Sequence, residues 1–170
     1  MDFYEVVHQR RAIRKYKPDA VPREVLYKIL DAANWAPSGM NLQQWEFIVV
    51  TNKDAREQVT QVHAYAHMLK QSPVAIVVCA DLARSKYPVD FWVQDCSAAT
   101  ENLLLAAANL GLGTCWCGVH PRPERERGFR KLCRLPDHII PFALIAVGVS
   151  AEDKPPADYY DPERVHRETW

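Results

Sequence analysis

No stretch of this chain is apolar for long enough to cross a bilayer, since a spanning helix needs about 20 predominantly apolar residues. An excess of one charge is missing as well. Lysine and arginine number 21 and aspartate and glutamate 21, so no net field draws the protein toward nucleic acid or a membrane surface. There is no G-x-G-x-x-G after a strand and no Walker A loop, which removes the dinucleotide and P-loop fingerprints. No catalytic triad or carboxylate dyad stands out. The five cysteines are odd in number and sit mostly in apolar runs, the pattern of small buried thiols in a reducing compartment. Cys115-Trp116-Cys117 lacks zinc spacing and has no second ligand pair, so no metal is expected. The opening Met1-Asp2-Phe3-Tyr4-Glu5 does not read as a signal peptide, and a cytoplasmic location is the expectation. Internal repeats and low-complexity segments are absent too.

What is present is 170 residues with 48% hydrophobic content, enough for one domain with a real core. The most informative stretch is Trp35-Ala36-Pro37-Ser38-Gly39-Met40-Asn41-Leu42-Gln43-Gln44-Trp45. A helix pattern precedes it and the strand-like 46–50 follows. Pro37 turns Ala36 away from the helical region, and Gly39 relaxes the backbone in the turn. Ser38, Asn41 and Gln43 put donors and acceptors at a helix-to-strand junction between two indoles. Such residues serve ordinary turns; they equally suit a polar cradle for a flat, hydrogen-bonding ligand.

Along the chain, Asp2 and Glu5 form a capping box for a helix with Phe3, Val6 and Val7 on its apolar face. It runs into five cations in the eight residues from Arg10 to Lys17. That cluster reads either as a solvated face or as an anion site in which guanidinium groups grip a phosphate. Pro22 suits a helix start, followed by Leu26, Ile29, Leu30 and Ala33 at helical spacing. Asn52 caps a third helix to about Val62. His63 and His67, four apart, read as surface histidines, because no third ligand accompanies them. Residues 74–80 form a continuous apolar run, a strand buried on both faces. A loop over 81–88 leads to the longest helix, about 90–110, whose second half is apolar nearly all round and calls for enclosure by its own domain or a partner. Gly111 ends it. Three of the six glycines fall within 111–118, where backbone approaches something closely or a helix cap meets a short strand. Pro123 opens another helix, and 139–149 is the last core strand, with Pro141 near its start or on an edge. The tail from 150 ends in Tyr159, Tyr160, Val165 and Trp170, an arm apolar enough to pack on another subunit.

Taken together, these segments resemble the nitroreductase family of FMN-dependent oxidoreductases. The likeness covers nearly the whole chain. Its carriers are Arg10-Arg11-x-x-Arg14, Ala36-Pro37-Ser38-Gly39-Met40-Asn41-Leu42-Gln43, Gly111-Leu112-Gly113 with Cys115-Trp116, and Arg164-Val165-His166. The helix–strand alternation alone suggests a parallel, doubly wound sheet. The resemblance implies instead an α+β, three-layer fold with a mixed, mostly antiparallel sheet flanked by helices, and it is preferred because the nucleotide fingerprint is missing.

The resemblance also implies a homodimer with two FMN sites at its interface. By position, Arg10, Arg11 and Arg14 would hold the FMN phosphate, with Arg164 adding a contact. Pro37, Ser38 and Gly39 would lie along the flavin on the partner's side, and Asn41 and Gln43 would bond its polar edge or ribityl chain. Leu112, Gly113, Trp116 and Gly118 would line the opposite side of the isoalloxazine. Position 12, usually serine in the family, is Ala12, and the residue before Trp45, usually proline, is Gln44. The implied activity is NAD(P)H-dependent reduction of nitroaromatics, quinones or similar acceptors, with the chemistry carried by FMN and no catalytic side chain. Alternatives are flavin binding without turnover, reductive dehalogenation, or a dimeric interaction domain with a basic patch and no cofactor.

Overall fold

The computed structural model describes residues 1–86 and 91–170. Its helices are α1 (Phe3–Gln9), α2 (Arg23–Asn34), α3 (Lys53–Val62), α4 (Trp92–Asn109) and α5 (Pro123–Cys133). Its strands are β1 (Trp45–Val50), β2 (Val74–Asp81), β3 (Gly113–Gly118) and β4 (Ile139–Gly148). The sheet order is β1-β2-β4-β3, and every neighbouring pair is antiparallel. The parallel pairing among the described residues is an isolated bridge between Ala12 and Thr114. The parallel sheet suggested by alternation is therefore overturned, in line with the resemblance. Strand periodicity says which face a side chain takes and nothing about which way the neighbouring strand runs.

β2 shows why its apolar run is continuous. Val74, Ile76, Val78 and Ala80 pack with α2 and α4 residues such as Ile29, Ala33, Ala99 and Leu103. Ala75, Val77 and Cys79 point the other way, toward Val59 of α3, Phe129 of α5 and the Ile13–Tyr16 segment. Both faces are covered, so both sets of alternating side chains must be apolar. Within α4, Cys96, Ala99, Leu103 and Ala107 are fully buried, while Leu105, Ala106 and Ala108 stay partly exposed. No described helix is long and apolar enough to cross a membrane.

The local signals are realised in detail. The Glu5 amide donates to Asp2 Oδ1 and the Asp2 amide to Glu5 Oε2, each at 2.9 Å. Of the expected apolar face of α1, only Val6 is buried; Phe3 and Val7 are exposed. Beyond α4, Gly111 takes φ +75°, its amide donates to Ala108 O (3.0 Å) and that of Leu112 to Ala107 O (2.9 Å). That is a Schellman ending, and it needs a residue tolerant of the left-handed region. Pro141 lies near the start of β4, opposite the register shift at Val78/Cys79, and beyond the rungs that β3 contributes. The expected loop residues Tyr87 and Pro88, and the expected start of the long helix at Asp90, lie outside the described residues.

The histidines depart from expectation. α3 ends at Val62, so His63 and His67 share no helical face. His67 is exposed, but His63 is buried, with Nε2 3.0 Å from Gly118 O. Burial pushes its imidazole below the usual range. Among the described residues no cluster of metal-ligating side chains forms, and all five cysteines are free.

Gly113 has a packing reason to be glycine. A Cβ there would sit 2.8–2.9 Å from three side-chain atoms of Ile13. The variant G113A is expected to lose about 1–3 kcal/mol through overpacking, seen as a fall in Tm of roughly 3–10 °C in a chain of this size.

Candidate functional site

The chain leaves α1 at Arg10 and runs extended beside β3, with the Ile13 amide donating to Thr114 O at 2.8 Å. This rung sets the paired arginines over the glycine turn that ends α4. A cleft of about 310 Å³ results, lined by Arg10, Arg11, Ile13, Leu112, Gly113 and Lys154 among others. Arg10 pairs with Glu101 of α4 (3.4 Å). Burial pushes the Glu101 carboxyl up, with Arg10 acting against that shift. Arg11 donates from Nη1 to Arg10 O (2.7 Å) and from Nε to Pro155 O (3.1 Å). Its guanidinium lies 5.6 Å from the Tyr159 ring centroid. Its remaining nitrogen, Nη2, is buried with no partner. A buried guanidinium N–H left unsatisfied costs about 1–3 kcal/mol or more.

Among the residues not identified from sequence are Lys154, in the lining of this cleft, and Glu101, the partner of Arg10. Lys154 donates to Ala12 O (2.5 Å) and pairs with Glu152 (3.4 Å); a single lysine before two prolines gave no signal. Glu101 lies just before the half of the long helix that read as apolar and gave no signal of its own. Glu152 ties the tail to the 10–17 segment by accepting from the Arg14 amide at 2.6 Å. That hydrogen bond, with Lys154 beside it, holds its carboxyl below the usual range. A depressed carboxylate stabilises the fold above its unfolded pKa, near 4.5, and that contribution is lost as pH falls through the folded value. Thermal melts should therefore show E152Q about 1–3 °C below the parent at neutral pH, with the difference vanishing in acid.

The 35–45 stretch forms a tight 3₁₀ turn at Gly39–Asn41. Left-handed backbone falls on Met40 (φ 50°), Asn41 (φ 55°) and Gln43 (φ 48°); Gly39, read from sequence as relaxing the turn, is not among them. Three such residues among four store strain that the surroundings must impose. Ser38 Oγ accepts from the Gln43 amide and Asp95 Oδ1 from the Gly39 amide, both at 2.9 Å. The Trp45 indole N–H donates to Asn34 Oδ1 at 2.8 Å. Asn41 and Gln43 are exposed.

One protomer does not bring these two halves together. Asp95, which holds the turn, and Ala108, which lines the cleft, are 13 residues apart on α4. That is about 20 Å along the helix at 1.5 Å per residue. Arg14 is exposed and does not line the cleft. Arg164 lies in the arm, paired with Asp161 at 3.2 Å. Trp116 packs edge-on against Phe142, centroids 5.8 Å apart. Gly118 sits at the far end of β3, its carbonyl accepting from Arg125 (2.7 Å) and facing His63 Nε2.

With this geometry in hand, comparison with known proteins is direct. The Nitroreductase family matches residues 7–65 and 59–149. This chain belongs to the nitroreductase family. A Methanothermobacter thermautotrophicus protein, provisionally named an NADH dehydrogenase/NAD(P)H nitroreductase, is 48% identical over 170 residues, covering 100% of this chain and 88% of its own length. The FMN-dependent nitroreductase of Clostridium difficile R20291 superposes with a TM-score of 0.92 at 34% identity, covering 99% of this chain and 100% of its own. A Desulfovibrio desulfuricans structure, provisionally named a nitroreductase and solved in complex with FMN, gives a TM-score of 0.84 at 30% identity, with 98% and 96% covered. The relatives' names are those of oxidoreductases.

Proposed function

We propose that two copies of this chain hold FMN at their interface and use it to pass a hydride from NADH or NADPH to a small oxidised acceptor such as a nitroaromatic or quinone. The observation that carries this reading is the buried, unpartnered Arg11 Nη2 beside Arg10 in a cleft floored by a glycine turn. The cleft lining carries the cations Arg10, Arg11 and Lys154, and a bidentate guanidinium grip suits a phosphate monoester. Arg14 and Arg164 add positive potential from outside the cleft. Leu112, Gly113, Trp116 and Gly118 lie along β3 or its entry, on the side where the ring system would extend.

The other wall needs the second copy. Within one chain the 37–43 turn stands too far from the cleft along α4, so Pro37, Ser38, Gly39, Asn41 and Gln43 of one copy serve the cleft of the other. The partly exposed apolar side chains of α4 and the exposed aromatic arm give that copy a surface to bury. Residues 150–170 act as that arm on a domain that spans the whole chain.

When bound, FMN supplies hydride chemistry at its N5, taking from the nicotinamide and giving to the acceptor. The protein positions the two partners in turn, keeps water from the reacting face and holds the phosphate. No acid–base pair is required for that transfer.

Absorbance of the purified protein followed by stopped-flow mixing tests the reading. Bleaching of a bound flavin by NAD(P)H, with colour restored by a quinone in a separate half-reaction, is the expected result. A yellow protein that never oxidises NAD(P)H would indicate flavin binding without turnover, and a protein unable to take up FMN would overturn the proposal.

A further inference from the structure

A separate cavity of about 380 Å³ lies where the 18–21 segment, the start of α3 and the entry to β2 meet. It shares no lining residue with the arginine cleft. Its polar lining is Thr51, Lys53, Arg56, Lys70 and Gln71, and the rest is proline, alanine and valine. Three of its described lining residues are thus cations and none is a carboxylate. Asp19 and Asp54 adjoin lining residues in sequence without lining the cavity themselves.

Arg56 is the unusual member. It is only 8% exposed, yet it takes part in none of the ion pairs among the described residues. Glu57, the next residue on α3, reaches Lys53 Nζ at 4.0 Å instead. Arg56 Nε donates to Thr51 O (3.4 Å), and Nη1 donates to Leu69 O (2.9 Å) and to Ser72 O. These carbonyls fix the guanidinium plane without neutralising it. Nη2 makes no hydrogen bond and, unlike Arg11 Nη2, is not sealed from solvent. In a side chain so nearly enclosed, that open edge is the one the cavity receives. Burial pushes Arg56 below the usual guanidinium range, with Glu57 acting against the shift. A buried charge without a counterion is costly. Gln71 Oε1 accepts from the Tyr16 amide at 3.4 Å, which leaves the Gln71 N–H groups as further donors.

We propose that this cavity is a second anion site, one that takes a phosphate group. Arg56 Nη2 donates from the fixed end, and the exposed Lys53 and Lys70 close on the anion from the rim. The first turn of α3, which opens at Lys53, adds free N–H groups and the positive end of its dipole. A carboxylate brings one negative charge to three cations and leaves most of that charge uncompensated. Water can bond the same donors and neutralises none of them. The phosphate has two chemical sources, free inorganic phosphate or a small phosphomonoester whose body lies on Val21, Pro73 and Val74. Binding here needs no flavin and stands apart from the redox reading.

Calorimetry on the full-length protein in about 0.15 M chloride, where exposed charges more than about 8 Å apart are screened, tests this with inorganic phosphate. It is run on protein saturated with FMN and on R10A/R11A, so that neither preparation offers the arginine cleft to the probe. Phosphate should bind both with similar affinity and raise both unfolding temperatures. In R56Q the affinity should fall at least about tenfold. Because Arg56 also ties down three carbonyls, K53Q/K70Q keeps the test independent of folding. Its affinity should fall about fivefold or more, with the unfolding temperature in the absence of phosphate unchanged.

No binding to the parent, loss of binding in R10A/R11A, or a folded K53Q/K70Q variant that binds as the parent does would each overturn the proposal. So would benzoate binding as tightly as phenyl phosphate. Phenyl phosphate binding at least about tenfold more tightly than inorganic phosphate assigns the monoester, and comparable affinities assign free phosphate.

Discussion

The double variant R10A/R11A should purify nearly colourless, with FMN affinity reduced at least about 100-fold. Each guanidinium bond to an anion contributes about 1.5–3 kcal/mol. Two of them sum to about 3–6 kcal/mol, and each 1.4 kcal/mol is a factor of ten in affinity. The estimate is conservative because the Arg11 Nη2 N–H is already desolvated and unpaired; the phosphate gains a donor that water no longer solvates. Loss of Arg10 also leaves Glu101 half-buried without its 3.4 Å partner, placing an uncompensated carboxylate near the cleft and opposing the phosphate further. Flavin fluorescence titration of the apoprotein measures the effect, with the unfolding temperature as the control for folding. Affinity within a few-fold of the parent would remove phosphate binding from this cleft.

On the proposed two-chain site, deleting the residues after Ala157 should give a monomer and release the flavin with it. The arm presents Tyr159 and Tyr160 about three-quarters exposed and Trp170 fully exposed, with the Trp170 ring stacked on His166 at 4.3 Å. Aromatics of this kind bury roughly 150 Å² or more each. At about 25 cal/mol per Å², three of them contribute about 11 kcal/mol gross. Association costs about 4–15 kcal/mol, so removing the arm tips the balance. Truncation also removes the Tyr159 ring from beside the Arg11 guanidinium. Light scattering should report a mass near that of the single 19.5 kDa chain for the truncated protein and twice that for the full chain. A full-length protein that scatters as a monomer while holding FMN would defeat the two-chain site.

Much of the fold was legible residue by residue where the signal was local. The Asp2–Glu5 capping box, the Asn52 cap, the Gly111 helix ending and Pro123 at the start of α5 are each written in a few adjacent side chains. The β2 run announced burial on both faces. Strand direction was not legible, because an apolar run looks the same beside a parallel or an antiparallel neighbour. His63 was misread as a surface residue because its partner, the carbonyl of Gly118, lies 55 residues away. The turn at 39–43 was recognised, with Gly39 read as the residue that relaxes it, but its left-handed backbone was not placed. The ties from Asp95 and Ser38 let Met40, Asn41 and Gln43 carry it instead.

The sequence by itself determined the chemistry available: a balanced charge, a block of arginines, a polar helix-to-strand turn, scarce glycines gathered near one strand, and a family likeness that covers the chain. Only the tertiary structure decided which of these meet. It joined Arg10 and Arg11 to Leu112, Gly113 and Lys154, set the 37–43 turn about 20 Å away along α4, and left Arg11, Gln44 and Asp95 each with a buried atom unpaired. The physical reason is that proximity between distant segments, and the desolvation that makes a lone polar atom costly, exist only once the sheet and its two helical layers have closed around them.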